Sequence, residues 1–372
     1  MINRRDWIKT AGMAGATALL GGLNKVNGSP LLSGKFGVRA EDAGISKLSS
    51  NENPYGPSDA ILEAIRSGFD KACRYPWGYA GKLVSAIAAR EQVEANHIVL
   101  TGGSIEGLRI AGLLYGMHKG EIVAADPTFL ALMSYAEQIG AYIHRVPLDD
   151  QMVHDLPAME RKINKNTGLV FICNPNNPTG TLLPAGALRD FCTSVSGKTM
   201  VFCDEAYYDY IQEPGYPSMT ELVKKGMNVI VSRTFSKVYG MAGLRIGYLI
   251  AKPEIAGKLR EHAMAGTNIL AMEGALKALE DREFYSFSLQ KNDEARKYLY
   301  STFDHMKLKY IPSHGNFVFF QTGMSIGDFM SKMEAKGVIV GRPFPPYNDW
   351  CRISTGTMDN MKHFASTLKE VV

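Results

Sequence analysis

The sequence has little that would mark a metalloprotein, a disulfide scaffold, a membrane protein or a nucleic-acid binder. Its five cysteines (Cys73, Cys173, Cys192, Cys203 and Cys351) are odd in number and form no Cys-x-x-Cys pair. That is neither a zinc spacing nor a paired disulfide framework. Cys173 and Cys203 fall in apolar, strand-like runs, and all five are expected to be buried or half-buried thiols. None of the eight histidines stands in a His-Glu-x-x-His or Cys/His ligand spacing, so no metal is expected. The one mildly apolar stretch, Thr10 to Leu23, is too short and too weak for a stable membrane span. Low-complexity tracts and internal repeats are missing, and the 45% hydrophobic and 21% charged composition is that of an ordinary globular chain. Excess charge is also scarce. Of the net +4, Arg4, Arg5, Lys9 and Lys25 against Asp6 place +3 in residues 1–34 and leave +1 for the rest. With no basic stripe carrying interleaved aromatics, nucleic acid is not expected as a partner.

What is present begins at the N-terminus. Asn3-Arg-Arg-Asp-Trp-Ile-Lys9 precedes a Gly- and Ala-rich apolar stretch, an arrangement that resembles a bacterial twin-arginine export signal. Residues 1–34 are therefore expected to be signal and linker, although no clean small-x-small cleavage site precedes Ser29. The implied location is the periplasm or beyond, with a cytoplasmic address as the alternative. Twin-arginine export carries proteins already folded.

After a polar linker, short apolar runs alternate with longer amphipathic stretches. His97–Thr101, Glu121–Ala125, Leu169–Cys173, Met200–Cys203, Asn228–Ser232 and Gly247–Ala251 read as buried strands, because continuous apolar runs suit a sheet covered on both faces. Ile105–Met117 and Ala185–Ser194 have helical spacing. The order predicts an α/β domain with a mostly parallel sheet. Beyond about Gly266 a long helical pattern, Met272–His305, leads into short strands (Asn316–Gln321, Val338–Val340, Cys351–Ser354) and helices (Ser325–Lys336, Asn360–Val371). This predicts a smaller C-terminal α/β domain. The expected division is 35–60 as an N-terminal arm, 61–265 as the large domain and 266–372 as the small one.

Polar motifs follow the apolar runs, where open parallel sheets gather their ligands. Thr101-Gly-Gly-Ser-Ile-Glu-Gly107 is a glycine turn opening a helix, a setting whose bare N–H groups attract phosphate. It lacks the lysine of a P-loop, and Glu106 stands where a nucleophile elbow needs its second glycine. Asp126-Pro-Thr-Phe129 offers an aromatic, either a ring to stack on a planar ligand or a core phenylalanine. In Cys173-Asn-Pro-Asn-Asn-Pro-Thr-Gly180, two Asn-Pro steps stiffen the turn and leave Asn177 as a side-chain amide donor. Cys203-Asp-Glu-Ala-Tyr207 puts a carboxylate, Asp204, at a buried strand end, which is costly without a cationic or donor partner. Ser232-Arg-Thr-Phe-Ser-Lys-Val-Tyr-Gly-Met-Ala-Gly-Leu-Arg-Ile-Gly247 sets Lys237 in a Ser/Thr-rich turn with Arg245 one short loop on. Hydroxyls and an arginine bind phosphate, and a lysine beside a bound phosphate ester can condense with an aldehyde on the same ligand.

These motifs, with Ser50-Asn-Glu-Asn-Pro-Tyr-Gly-Pro-Ser58 and Arg352-Ile-Ser-Thr-Gly-Thr357, occur in an order that resembles the fold-type I pyridoxal-phosphate aminotransferases of class I/II from about Leu48 to Val372. Within these the histidinol-phosphate aminotransferase branch is most similar. The resemblance implies a seven-stranded, mostly parallel sheet with helices on both faces, a small C-terminal domain, and pyridoxal 5'-phosphate as cofactor. It implies that Lys237 forms the imine and then moves the proton between substrate and cofactor. Asp204 would face the pyridine nitrogen, Asn177 and Tyr207 would hold the phenolic oxygen, and Phe129 would stack on the ring. Gly103, Ser104, Thr234, Ser236 and Arg245 would take the phosphate. Tyr55 would reach the phosphate of the other subunit, which implies a homodimer with shared active sites. Arg352 would clamp the α-carboxylate of the amino acid or 2-oxo acid substrate, with Asn53 and Arg342 as further substrate residues.

The sequence departs from the branch in Val340-Gly-Arg-Pro-Phe-Pro-Pro-Tyr-Asn-Asp-Trp350. The arginine expected to hold a substrate phosphate is matched only by Arg342, at a different spacing, and Pro343 through Trp350 offer an apolar or aromatic pocket instead. Histidinol phosphate and aromatic amino acids are both open as amino donors. A decarboxylase, racemase or oxidase would keep the same cofactor residues, and a non-catalytic cofactor-binding regulator is the reading from another class.

Overall fold

The structure is a computed structural model that describes residues 37–38 and 44–372; the twin-arginine segment lies outside them. The strands are β1 (Ser46–Lys47), β2 (Ile98–Thr101), β3 (Glu121–Asp126), β4 (Tyr142–Pro147), β5 (Thr167–Cys173), β6 (Met200–Asp204), β7 (Val229–Thr234), β8 (Gly247–Ala251), β9 (Tyr310–Ile311), β10 (Phe317–Gln321), β11 (Val338–Ile339) and β12 (Trp350–Ser354). The large sheet runs β2-β8-β7-β6-β5-β3-β4, with β8 antiparallel to both neighbours and the other adjacent pairs parallel. The mostly parallel order is as the strand pattern predicts, and the seven strands are as the family resemblance implies. Every residue of β6, β7 and β8 is buried, which is why those runs are apolar without alternation. Phe202, Ile230 and Leu249 from these strands share one core with Val99, Ile122 and Phe171 of β2, β3 and β5.

One strand of that sheet escaped the sequence reading. β4 is the edge, and in Tyr142-Ile-His-Arg-Val-Pro147 only Ile143 and Val146 are buried. An edge strand has one neighbour and less cover, so it carries no apolar run to recognise.

The long helical pattern is two helices, not one. Ile269–Glu280 and Arg282–Met306 break at Asp281, with φ −81° and ψ 70°. The Asp281 carboxylate accepts the Phe284 N–H at 3.0 Å and the Ser58 hydroxyl at 2.6 Å, so it caps the second helix and ties it to the start of the helix Asp59–Arg66. Helical periodicity continues across such a cap and hides it.

The second sheet is antiparallel, β12-β10-β9, over a core in which Phe303, Phe320, Phe329 and Phe364 are fully buried. Phe303 and Phe320 stack at 4.5 Å. β1 pairs in parallel with β11, and the Ser354 N–H donates to Leu48 O at 2.9 Å. The segment after β1 is thereby pinned against the end of β12, which positions Ser49, Ser50 and Asn51 beside the site.

Cys173, Cys192, Cys203 and Cys351 are buried as expected, but Cys73 is exposed. It follows the short turn Phe69–Lys71, where no sheet covers it. Among the described residues no helix is long and apolar enough to cross a membrane.

Replacing Asp281 with alanine removes a helix cap and should cost about 1 kcal/mol, read as a lower urea midpoint than that of the wild type.

Candidate active site

The chemistry gathers where β5, β6 and β7 end. The register aligns Cys173 with Asp204 and Asp204 with Ser232, so the segments leaving the three strands start at one level. The turn after β5 is held from within. Asn174 donates to the Tyr216 hydroxyl at 2.8 Å and accepts the Leu183 N–H at 2.9 Å. Asn176 accepts the Thr128 hydroxyl at 2.7 Å and donates to Thr179 at 3.0 Å. With those two amides occupied in holding the turn, Asn177 is the one whose side chain reaches out of it.

Asn177 joins the two sheets. Its Oδ1 accepts from Arg352 Nη1 at 2.7 Å, and its Nδ2 donates to the Tyr207 hydroxyl at 3.3 Å. Arg352, from the middle of β12, also donates to Ser49 O at 2.5 Å. Burial pulls its pKa below the usual arginine value, and the charge of Arg342 pulls the same way. Lys237 donates to Asn51 O at 3.0 Å, and its Nζ lies 5.5 Å from the centre of the Tyr207 ring. Burial, then repulsion from Arg352, lowers the Lys237 pKa to about 8. Asp204, 2% exposed, is pushed up to about 7 by burial, while the Ala206 N–H and the charge of Lys237 oppose the rise. A lysine made more acidic and an aspartate made more basic in one buried group is the pattern of a reactive site.

A second set of donors forms an anion cradle. Gly103, with φ +80°, opens the helix Ser104–Gly116, and the Arg245 guanidinium occupies the space where a Cβ on Gly103 would project. Arg245 donates to the Ser236 hydroxyl at 3.4 Å, and Thr234 donates to Ser236 at 2.9 Å. A Cβ on Gly247 would come within 3.0 Å of the Ser104 nitrogen. The start of a helix, two hydroxyls and a guanidinium brought together by closely approaching glycines suit a phosphate ester.

The remaining expected residues stand apart from these two sets. Phe129 is half-buried and packs against the large-sheet core. Asn53 spends its amide on Val238 O at 2.9 Å and the Ser288 hydroxyl at 3.0 Å, and its oxygen accepts the Tyr55 N–H at 3.1 Å. The Tyr55 ring meets Phe287 edge-on at 5.2 Å. Arg342 is exposed, with its guanidinium 4.2 Å from the centre of the Phe344 ring. One residue was missed: Asn51, two positions before Asn53, donates to the Tyr207 hydroxyl at 2.9 Å. Nothing in Ser50-Asn-Glu-Asn-Pro54 distinguishes its two asparagines. Only the φ of 53° at Asn51, a left-handed conformation that asparagine tolerates, turns it inward.

The donor set fits pyridoxal phosphate: an anion cradle for the phosphate, an underpartnered buried carboxylate for a cationic ring nitrogen, and an amine of lowered pKa for the aldehyde. The model of the aminotransferase class I and II family matches residues 43–368. The chain is 39% identical over 332 residues to the histidinol-phosphate aminotransferase of Moorella thermoacetica, covering 88% of this chain and 86% of that protein. It is 38% identical over 343 residues to that of Akkermansia muciniphila, covering 91% and 92%. The crystal structure of histidinol-phosphate aminotransferase from Sinorhizobium meliloti in complex with pyridoxal-5'-phosphate matches with a TM-score of 0.81 at 27% identity, over 88% of this chain and 90% of that one.

The chain belongs to the aminotransferase class I and II family. It is a pyridoxal-phosphate-dependent transaminase of fold type I.

In the cofactor-free protein, acylation of Lys237 by an amine-selective reagent should rise with a midpoint near pH 8, because its pKa lies at about 8. Exposed lysines should rise at about pH 10.4. Mass spectrometry of the modified peptides across pH separates the two.

Proposed function

We propose that the enzyme moves an amino group between an L-amino acid and a 2-oxo acid, with Lys237 as the residue that holds the cofactor and carries the proton. The observation that supports this best is the single buried network joining Lys237, Tyr207, Asn177 and Arg352, with Asp204 beside it. When bound, the cofactor supplies an electron sink for the charge released at the substrate α-carbon. The residues do the rest. Asp204 would face the ring nitrogen and keep it protonated, and Asn177 and Tyr207 would donate to the phenolic oxygen. Phe129 would support the ring, and Gly103, Ser104, Thr234, Ser236 and Arg245 would hold the phosphate. Arg352 orients the α-carboxylate with two parallel hydrogen bonds, a geometry lysine does not offer. The Lys237 amine, whose pKa burial lowers to about 8, would take the proton from the α-carbon and deliver it to the cofactor carbon on the far side of the shared nitrogen.

The substrate side chain meets an aromatic wall. Phe344 lies 5.2 Å from the Arg352 guanidinium, and behind it Phe319 stacks on Trp350 at 5.1 Å, with Tyr347 alongside. This suits a planar side chain, either an aromatic amino acid or the imidazole of histidinol phosphate, with Arg342 as the cation for a phosphate. The name shared by the curated relatives favours the second.

The working form is a homodimer. Tyr75 and Trp77, 81% and 77% exposed, stack at 6.4 Å, and Phe69 and Met264 are also exposed. A second copy would cover such large apolar side chains, and Tyr55 and Asn53, in the arm 35–60, would then serve the neighbouring site. The division between a large domain ending at residue 265 and a small one beginning at 266, and export by the twin-arginine route, complete the proposal.

Lys237→Ala should abolish the yellow colour of the purified protein and its transaminase activity together; full activity in that variant would overturn the assignment. Arg352→Lys should raise KM for amino acids at least tenfold, the scale of a lost bidentate pair of about 1.5–3 kcal/mol, with cofactor binding unchanged. Mixing the protein with single amino acids and following the chromophore identifies the donor. Glutamate recovered from 2-oxoglutarate supports transfer, whereas carbon dioxide or peroxide points to a decarboxylase or an oxidase.

A further inference from the structure

Tyr207 has one phenolic proton, and the groups around its oxygen decide where that proton points. A guanidinium carries only donors, so Arg352 must meet Asn177 through the amide oxygen, and Asn177 Nδ2 then faces the Tyr207 oxygen at 3.3 Å. Asn51 is oriented by Ser354. The Ser354 hydroxyl accepts the Asn51 backbone N–H at 2.8 Å and donates to Asn51 Oδ1 at 2.8 Å. That leaves Asn51 Nδ2 to donate to Tyr207 at 2.9 Å. Two N–H donors thus occupy both lone pairs of the phenol. Tyr207, Asn51 and Ser354 are 5%, 1% and 2% exposed, so water does not replace either donor.

We propose that Asn51 is a positioning residue for the reaction: by filling the second acceptor position of Tyr207 it obliges the phenol to donate its proton outward, onto the phenolic oxygen of the cofactor. The inference rests on the pyridoxal phosphate reading. A hydrogen bond donated to that oxygen withdraws electron density that would otherwise hold a proton on the nitrogen at Lys237, so Asn51 keeps that nitrogen more acidic. The titratable and charged groups facing Tyr207 are Arg352 from β12, Cys173 from the end of β5, Asp204 from the end of β6, Tyr210 three residues further along and Lys237 from the loop after β7. The rings of Tyr207 and of Phe317 in β10 meet edge to face, with centres 5.0 Å apart. These groups change how readily Tyr207 ionises, but none of them orients a neutral O–H. The asparagine does so because its own orientation is set from outside the site, by a hydroxyl at the end of β12.

The test is a pH titration of the absorbance of the cofactor held at Lys237, in Asn51→Gly and Asn51→Asp, each with Tyr207 intact and with Tyr207→Phe. Glycine keeps the left-handed backbone and the carbonyl that faces Lys237. Aspartate keeps the shape but turns the donor into an acceptor for the phenol. With Tyr207 intact, Asn51→Gly should raise the midpoint by about half a unit, and Asn51→Asp by about one unit or more. With Tyr207→Phe, Asn51→Gly should add nothing and the shift from Asn51→Asp should shrink. An unchanged midpoint in Asn51→Gly, or equal shifts in the two backgrounds, overturns the proposal. Should Asn51→Gly fail to fold, the isosteric Asn51→Asp decides alone, by whether its shift depends on Tyr207. A wild type without any absorbance at Lys237 overturns the cofactor reading, and this inference with it.

Discussion

The site depends on one side-chain amide. Asn177 accepts from Arg352 on the small sheet and donates to Tyr207 beside the end of β6 in the large one. Because a guanidinium cannot accept, that bond fixes which way the amide faces, and the amide in turn fixes a donor on the phenol. The residue that would grip the substrate and those that would tune the cofactor are therefore oriented together. A displacement of Arg352 would reach Tyr207 through two hydrogen bonds.

The electrostatics follow from burial. Lys237, Asp204 and Arg352 are each withdrawn from water, and each shifts toward its neutral form. Their mutual charges modify that trend without reversing it. Nearby, the buried pair Arg233–Glu205, at 2.8 Å and 7% and 4% exposed, links β7 to the residue after β6. It sits one position from Thr234 and one from Asp204. A charge pair sealed this way resists sliding of the two strands, since breaking it would strand a buried ion. Thr234 and Asp204, proposed above to hold the phosphate and the ring nitrogen, consequently keep a fixed separation.

Much of this was legible in the sequence, for identifiable reasons. Interior strands such as β6 and β7 are covered on both faces and must be apolar throughout, so their runs stand out. The turn Asn174–Gly180, the pair Asp204 and Tyr207 and the lysine turn each join a strand to polar chemistry, and that juxtaposition is visible in the order of residues. Where the reading fell short, local pattern was weak or misleading. β4 lies at an edge and is mostly exposed, Asp281 caps a helix without breaking the periodicity around it, and Cys73 lies in a turn with no cover.

Six of the seven strands of the large sheet, the order of the motifs and the chemical class of the side chains that carry them were already set in the sequence, because these follow from hydrophobic period and from which residues end each strand. Only the tertiary structure decided which asparagine of Ser50-Asn-Glu-Asn-Pro54 faces the site. It also decided that the segment after β1 lies against β12, and that Arg352 meets Asn177 across 175 positions of chain. Those outcomes depend on one left-handed φ and on the pairing of strands far apart in sequence, and neither leaves a periodic trace in the residues themselves.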